Sequence, residues 1–414
     1  MKKNSYEGWL VVFAGFLTLT VAAGIGWYVF PVYLGVIHEE MGWSITQLTF
    51  AITVWALAGA VFSPLVGGWT DKYGAKKVML LGTVCQIIIT ILLSRMTALW
   101  HMYALFIGAA FASTANTYIP ISAAIAQWFD EKRGMATGMA LLGMGVGGIF
   151  VPPLATTLLG RFGWRDAYLI FSIFLVAMLV PIGLWIKSGP GIGDDSEDSP
   201  EDSQKGPPQD SATEAQAQDT GGLTAAEAMR TRSFWMLGFG DLLIGVVFTT
   251  VIINMVFFSM QGGVSEWGAT IAYSTFLALT AVGIFIFGAA ADKLNIRWLM
   301  IFSYGVPAIA MLFLFRLPSL PFLFLFAIVF GVTGGGRSAL WPLALGKCFG
   351  IRHLGSIFGW LNIPFMLGNA IGPVLGGYIF DTTGSFKALF GISAAASAIS
   401  ILFIAQMRKE HGSQ

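Results

Sequence analysis

The sequence predicts an all-α membrane protein with twelve transmembrane helices in two pseudo-symmetric six-helix halves. Three observations carry this. Of 414 residues, 56% are hydrophobic and 11% charged, with a mean hydropathy of +0.74; a soluble globular chain carries about a quarter charged residues. Apolar segments near the ~20 residues that cross hydrocarbon recur along the whole chain. A single sequence offset superposes the second set of segments on the first.

The first segment, 9–34, follows Lys2 and Lys3. It is too long for a cleaved signal and lacks a small-residue cleavage site, so it is expected to be retained. The others are 45–67, 78–94, 99–126, 135–160, 167–186, 234–258, 271–290, 298–315, 319–345, 355–380 and 388–407. Each is apolar all round, so periodicity adds little. Basic residues give the topology. With both termini in the cytoplasm, 17 of the 23 Lys and Arg fall in cytoplasmic loops and tails. Arg95, Arg161, Arg165, Arg316 and Lys387 fall outside, and Arg337 falls within a span. The expected setting is a multi-pass protein of the cytoplasmic (inner) membrane.

Between the sixth and seventh spans runs "SGPGIGDDSEDSPEDSQKGPPQDSATEAQAQDTGG", acidic, rich in Pro, Gly and Ser, and free of aromatics. It cannot bury a core and reads as a solvated tether. The expected division is therefore an N-terminal half (1–187), an acidic cytoplasmic linker (188–222) and a C-terminal half (223–414). The stretch "LTAAEAMRTRSFW" reads as a short amphipathic helix leading into the seventh span. Adding 221 aligns Gly67 with Gly288, Asp71 with Asp292, Lys72 with Lys293, Gly138 with Gly359 and Gly147 with Gly368. Such a repeat implies two halves related by an axis along the membrane normal.

Certain motifs are more specific. "GGWTDKYGAKK" (67–77) resembles the loop between helices two and three of the major facilitator superfamily, and "GAAADKLNIR" (288–297) is its weaker echo. "WFDEKRGMATGMALLGMGVG" (128–147) resembles the helix-five signature of the monocarboxylate transporters, their bacterial homologues and the oxalate/formate antiporter family. "YEGWLV" (6–11) and "GWRDAY" (163–168) resemble further motifs of the same family. The resemblance implies the major facilitator fold and transport by alternating access. It also implies a gate built from Gly67, Asp71, Lys72, Asp292 and Arg133, with Gly67 and Gly288 allowing close helix contact. In many members an arginine follows a glycine in helix eight and holds the substrate carboxylate; here Gly283 is followed by Ile284.

Arg337 lies about 15 Å of helix from the next basic residue, Lys347, at 1.5 Å per residue. An intramembrane charge is a functional candidate by default. The offset of 221 pairs it with Asn116, and in the resembled fold both would flank the central cavity, with Tyr118 on an adjacent face. Arg337 is expected either to replace the missing helix-eight arginine as an anion anchor or to pair with Asp241 or with backbone carbonyls freed by Gly334–Gly336. Asp241, the acid well inside a span, is the candidate proton carrier. Tyr28, Asn254 and Asn362 occupy further cavity-compatible positions, each open to a plain packing role, and Trp341 can stack on a substrate or wall the cavity.

The expected function is secondary transport of a small organic anion, a monocarboxylate, coupled to protons. An organic-anion exchanger and an exporter of cationic or neutral compounds are the alternatives, and a ligand sensor is a third. Nothing in the charge balance suggests nucleic acid. No nucleophile–base pair or metal-ligand spacing points to an enzyme, and no cofactor is expected.

Overall fold

The computed structural model describes residues 5–129, 133–187, 222–291, 293–316, 319–350 and 354–408. Among these it is helical nearly throughout. The first span is α1 (Ser5–Thr18), a five-residue π-helical turn (Leu19–Ala23) and α2 (Gly24–Met41). Then follow α3 (Ile45–Tyr73), α4 (Ala75–Ser94), and the fourth span in two pieces, α5 (Leu99–Asn116) and α6 (Tyr118–Trp128). Helix α7 (Arg133–Trp185) holds the fifth and sixth spans. After the short α8 (Ala225–Met229) come α9 (Arg232–Gln261), α10 (Glu266–Ala291), α11 (Ile296–Arg316), α12 (Leu320–Phe349), α13 (Leu354–Thr383) and α14 (Lys387–Ile404).

Among the described residues ten stretches are long and apolar enough to cross a membrane. One of them, Ala136–Trp185, has 50 residues and folds back on itself at Gly163, whose φ of 77° suits glycine. The reversal is fastened at the open ends, where the Trp128 indole N–H donates to the Lys187 carbonyl at 3.1 Å. Counting this stretch as two spans and adding the shorter apolar helix Ile296–Met311 gives twelve. The helices overrun the apolar segments that announce them, because a helix continues past the hydrocarbon into the interfacial layer. The amphipathic stretch before α9 condenses to α8, started by a capping box between Thr224 and Glu227. Most of the acidic linker lies outside the described residues.

Both ends of the described chain lie at one end of the bundle, the termini side. The two halves meet at the other end, the far side. There the Asp381 carboxylate, on α13, accepts from the backbone N–H of Ile45 at 3.0 Å and of Thr46 at 2.8 Å, and from the Thr46 hydroxyl at 2.5 Å. One half thus caps the first helix turn of α3 in the other, while Ser44 and Gln47 close the rest of that terminus. A turn below, a Cβ on Gly377 would stand 2.6 Å from the Thr46 backbone, so only glycine lets α3 and α13 come this close. The seam continues inward with the Thr53 hydroxyl donating to the Ala370 carbonyl. On the opposite flank Thr156 and Thr270 share a 2.7 Å hydrogen bond, and Gly148 lies under Leu277. Phe257 of α9 packs over Gly35 and edge-on to His38 of α2. No comparable seam joins the halves on the termini side among the described residues; α1 and α6 pack on their own half.

If this seam closes the far side, Gly377→Trp must hold it apart. In a cysteine-free background, Thr53→Cys should react faster with a membrane-impermeant maleimide once Gly377→Trp is added. Asp381→Ala should act in the same direction more weakly. Equal labelling rates in all three proteins would contradict the assignment.

Candidate functional site

The second half is tied together by one buried charge pair. Asp241 sits three turns into α9 and is fully buried; Arg337 sits in α12 with 13% of its side chain exposed. The guanidinium grips the carboxylate as a fork, Nε to Oδ1 at 2.8 Å and Nη2 to Oδ2 at 2.7 Å. The Tyr304 hydroxyl, from α11, donates to Oδ1 at 2.9 Å. Both oxygens are therefore occupied, as burial of a carboxylate requires. Arg337 uses two of its three nitrogens on Asp241; among the described residues no hydrogen bond engages Nη1. Its flat faces are covered by the Phe365 ring, with Cζ 3.6 Å from the centroid, and more loosely by Trp341 at 5.6 Å. The Trp341 indole N–H is buried without a partner.

The local sequence explains the placement. Gly331, Gly335 and Gly283 let α10 and α12 touch backbone to backbone: a Cβ on Gly335 would stand 1.9 Å from the Thr280 carbonyl oxygen, and one on Gly283 2.1 Å from that of Val332. Helix α12 runs unbroken through Gly334–Gly336. The glycines serve packing, and Arg337 pairs with Asp241 rather than with freed carbonyls. Tyr304 is fixed in turn by its helix. The Ser303 hydroxyl donates to the Thr333 carbonyl, and the Ser397 hydroxyl to the Tyr304 carbonyl, both at 2.6 Å.

The first half repeats the arrangement without charge. Subtracting 221 takes Arg337 to Asn116, Tyr304 to Thr83 and Asp241 to Thr20. Asn116 is buried, accepting from the Thr83 hydroxyl at 3.0 Å and donating to Gln86 Oε1 at 3.0 Å; Gln86 Nε2 donates to the Ala22 carbonyl at 2.7 Å. Each half thus knots its first, third and fourth spans through polar side chains. The sequence reading did not single out Tyr304 or Gln86. The offset points to Tyr304 through Thr83; it pairs Gln86 with Pro307 and gives no sign of it.

The other expected residues scatter. Tyr28 is buried in α2. Asn254 is buried, donates to the Thr250 carbonyl at 3.0 Å and leaves Oδ1 unpartnered. Asn362 is half-buried in α13. At the expected gate a Cβ on Gly67 or Gly288 would meet nothing within 4 Å among the described residues, so the close contact expected of both is not seen there. These glycines lie on the side where the halves stand apart. Lys72 is exposed, its ammonium 5.2 Å from the Tyr73 ring centroid. Asp292 lies outside the described residues, as do the side chains of Asp71, Tyr118 and Arg133. Among the described residues no group of His, Cys, Asp and Glu is arranged to hold a metal.

A family model described as Major Facilitator Superfamily matches residues 16–272 and 242–414. Monocarboxylate transporter 12 of Rattus norvegicus is 25% identical over 422 residues, covering 96% of this chain and 84% of the relative. Monocarboxylate transporter 11 of Mus musculus is 24% identical over 355 residues, covering 82% and 74%. The crystal structure of a bacterial homolog of the human lysosomal transporter Spinster, inward-facing and occupied, shares the fold with a TM-score of 0.74 at 17% identity. It covers 95% of this chain and 94% of its own.

Removing one member of the charge pair strands the other. Arg337→Met should lower stability by roughly 3–5 kcal/mol, the usual cost of an uncompensated buried charge. Adding Asp241→Leu should restore most of the loss, read as thermal unfolding in detergent. A double variant no more stable than Arg337→Met would show that the pair does not hold the half together.

Proposed function

We propose, from the premise that this chain belongs to the Major Facilitator Superfamily, that it is a transporter carrying a small organic anion, a monocarboxylate, by alternating access together with a proton. The observation that carries this reading is the part-exposed Arg337, which keeps 13% of its side chain open while Asp241 is fully buried and which spends only Nε and Nη2 on the carboxylate. A guanidinium edge suits a carboxylate, and its aromatic cover keeps water off the contact. The relatives named monocarboxylate transporters fit this class. The usual helix-eight arginine is absent, yet the backbone at Ile284 lies against Gly335, two residues from Arg337. An arginine on α12 can therefore serve the same region of the cavity. Asn116 and Tyr118 on the opposite wall, with Tyr28, Asn254 and Asn362, are the further substrate-side candidates.

The excess of Lys and Arg in the termini-side loops supports a cytoplasmic placement of that side, in a cytoplasmic (inner) membrane. The far-side seam then makes this an inward-open state. Gly67, Asp71, Lys72, Asp292 and Arg133 belong to the gate that closes when the seam parts. Asp241 is the proton partner: while charged it neutralises Arg337, and once protonated it releases the full guanidinium charge to the substrate. Anion and proton thus enter a site whose net charge stays constant.

Uptake of labelled mono- and dicarboxylates into proteoliposomes, with and without a pH gradient, tests the reading. A charged hydrogen bond contributes roughly 1.5–3 kcal/mol, so Arg337→Lys should raise KM about 10- to 100-fold. Asp241→Asn should lose gradient-driven net uptake and keep exchange of internal for external substrate. Wild-type KM in Arg337→Lys removes the anchor, and equal wild-type rates of Asp241→Asn in both modes move the exchanger ahead.

A further inference from the structure

The second half sends one carboxylate into the far-side seam that neither the charge pair nor the seam's own bonds employ. Glu266 is the first residue of α10, and its Oε1 is buried with no hydrogen-bond partner among the described residues. Thr270, one turn on and on the same helix face, shares the 2.7 Å hydrogen bond with Thr156 of α7. That face therefore lies against the first half. The start of α10 does not serve the acid. The Ser265 hydroxyl accepts from the Gly268 N–H at 3.2 Å, and the Ser265 carbonyl from the Ala269 N–H at 2.9 Å.

Glu266 lines a cavity of about 560 Å³ whose other walls come from the first half: Val36 and Glu40 of α2, and the reversal of α7 between Leu159 and Asp166. Among the described residues Arg165 is the one cation lining it, and it is committed elsewhere. Its guanidinium pairs with Glu40, reaches the Met41 Sδ at 3.3 Å and lies over the Trp164 ring, Cζ 4.1 Å from the centroid. The Trp164 indole N–H donates to the other Glu40 oxygen at 2.6 Å. Both oxygens of Glu40 are thus served, and the buried oxygen of Glu266 is not.

The remaining ionisable groups nearby offer no relief. On α2 the Tyr33 hydroxyl lies within electrostatic reach of Glu266 but donates to the Ala155 carbonyl at 3.2 Å. His38 turns to the Trp43 carbonyl at 2.7 Å. On α7 Asp166 lines the cavity and is exposed, and Tyr168 packs edge-on against Tyr33. Glu39 and Arg161 are exposed and line none of it. From α12, Leu320 lies against Gly268 and brings no charge. Three carboxylates therefore share the cavity with one guanidinium. An ionised carboxylate oxygen buried without a donor beside like charges is costly, and the protonated acid far less so.

We propose that Glu266 is a second proton site, which holds a proton while the far side is closed and releases it to the far-side medium when α10 parts from α2 and α7. The closed state then carries one more proton than the open one. Closure therefore strengthens as the pH falls, by up to about tenfold in the closed-to-open ratio per pH unit. The inference rests on the alternating-access reading. It needs neither the identity of the substrate nor a proton on Asp241.

The test reads the far-side opening in the full-length protein in detergent. Spin labels replace the exposed Arg95 of the first half and Gln261 of the second in a cysteine-free background. From about pH 5 to pH 8, the parent protein should pass from one short distance to a mixture with a longer one. Glu266→Gln, which mimics the protonated acid, should keep the short distance throughout. Glu266→Ala should lose the pH response as well, and Asp241→Asn should retain it. The infrared carbonyl band of a protonated carboxylic acid should be present in the parent protein and missing from Glu266→Gln. Distances that ignore pH in the parent protein, a pH response that survives in Glu266→Gln, or equal infrared spectra each overturn the proposal. Loss of the response in Asp241→Asn alone would move the sensing group to the charge pair and overturn it too. Failure to find a transported carboxylate leaves these readouts unaffected, so the two readings fall separately.

Discussion

A guanidinium and a carboxylate that meet within a bilayer cannot be parted unless something replaces the lost charge. Much of the second half follows from that constraint. The pair joins α9 to α12, and Tyr304 brings in α11. Ser303 and Ser397 stitch α11 to its neighbours, and a glycine stripe presses α10 against α12. The first half has the same connectivity with Asn116, Thr83 and Gln86, none of them charged. Two halves built on one plan thus differ in what it takes to loosen them. Neutral hydrogen bonds exchange for others at small cost, whereas a buried ion pair does not.

The far-side seam is of another kind. The bonds between Asp381 and the start of α3 lie where water can reach them. When the seam parts, water can take over both the carboxylate and the helix terminus. The seam holds by fit as much as by bonding, since Gly377 and Thr46 leave no room between them. A closure of this type is firm while dry and inexpensive to open. The Arg337–Asp241 pair lies within one half and takes no part in this seam.

Most of the fold was legible in the sequence because the bilayer demands long apolar helices, and composition alone reveals those. Helix ends were less so: α2 and α3 run several residues past their apolar segments, since nothing in hydropathy marks where a helix leaves the lipid. The contact between Arg337 and Asp241 was foreseeable, two opposite charges at similar depth having few other partners. The π turn was not. "LTVAA" contains nothing that a regular helix would refuse, and the turn exists because of what packs around it. The break at Thr117, between α5 and α6, had its signal in Pro120, which lacks an N–H, while Gln86 gained its place from tertiary contacts that no spacing records. Gly67 and Gly288 show a further limit: a motif speaks for every state of a molecule, and a structure speaks for one.

The pair's members lie 96 residues apart in the chain. A ribosome therefore delivers Asp241 to the membrane well before Arg337 exists. For the time taken to make spans eight and nine, span seven must be housed with its acid unpaired, either protonated or kept near the aqueous interface. A charged residue at a helix centre raises the free energy of insertion by about 2.5–3.5 kcal/mol. The arrival of span ten cancels both penalties at once. Assembly of this half is thus ordered by synthesis, and a nascent chain halted before span ten would carry an exposed defect that quality-control proteases can recognise.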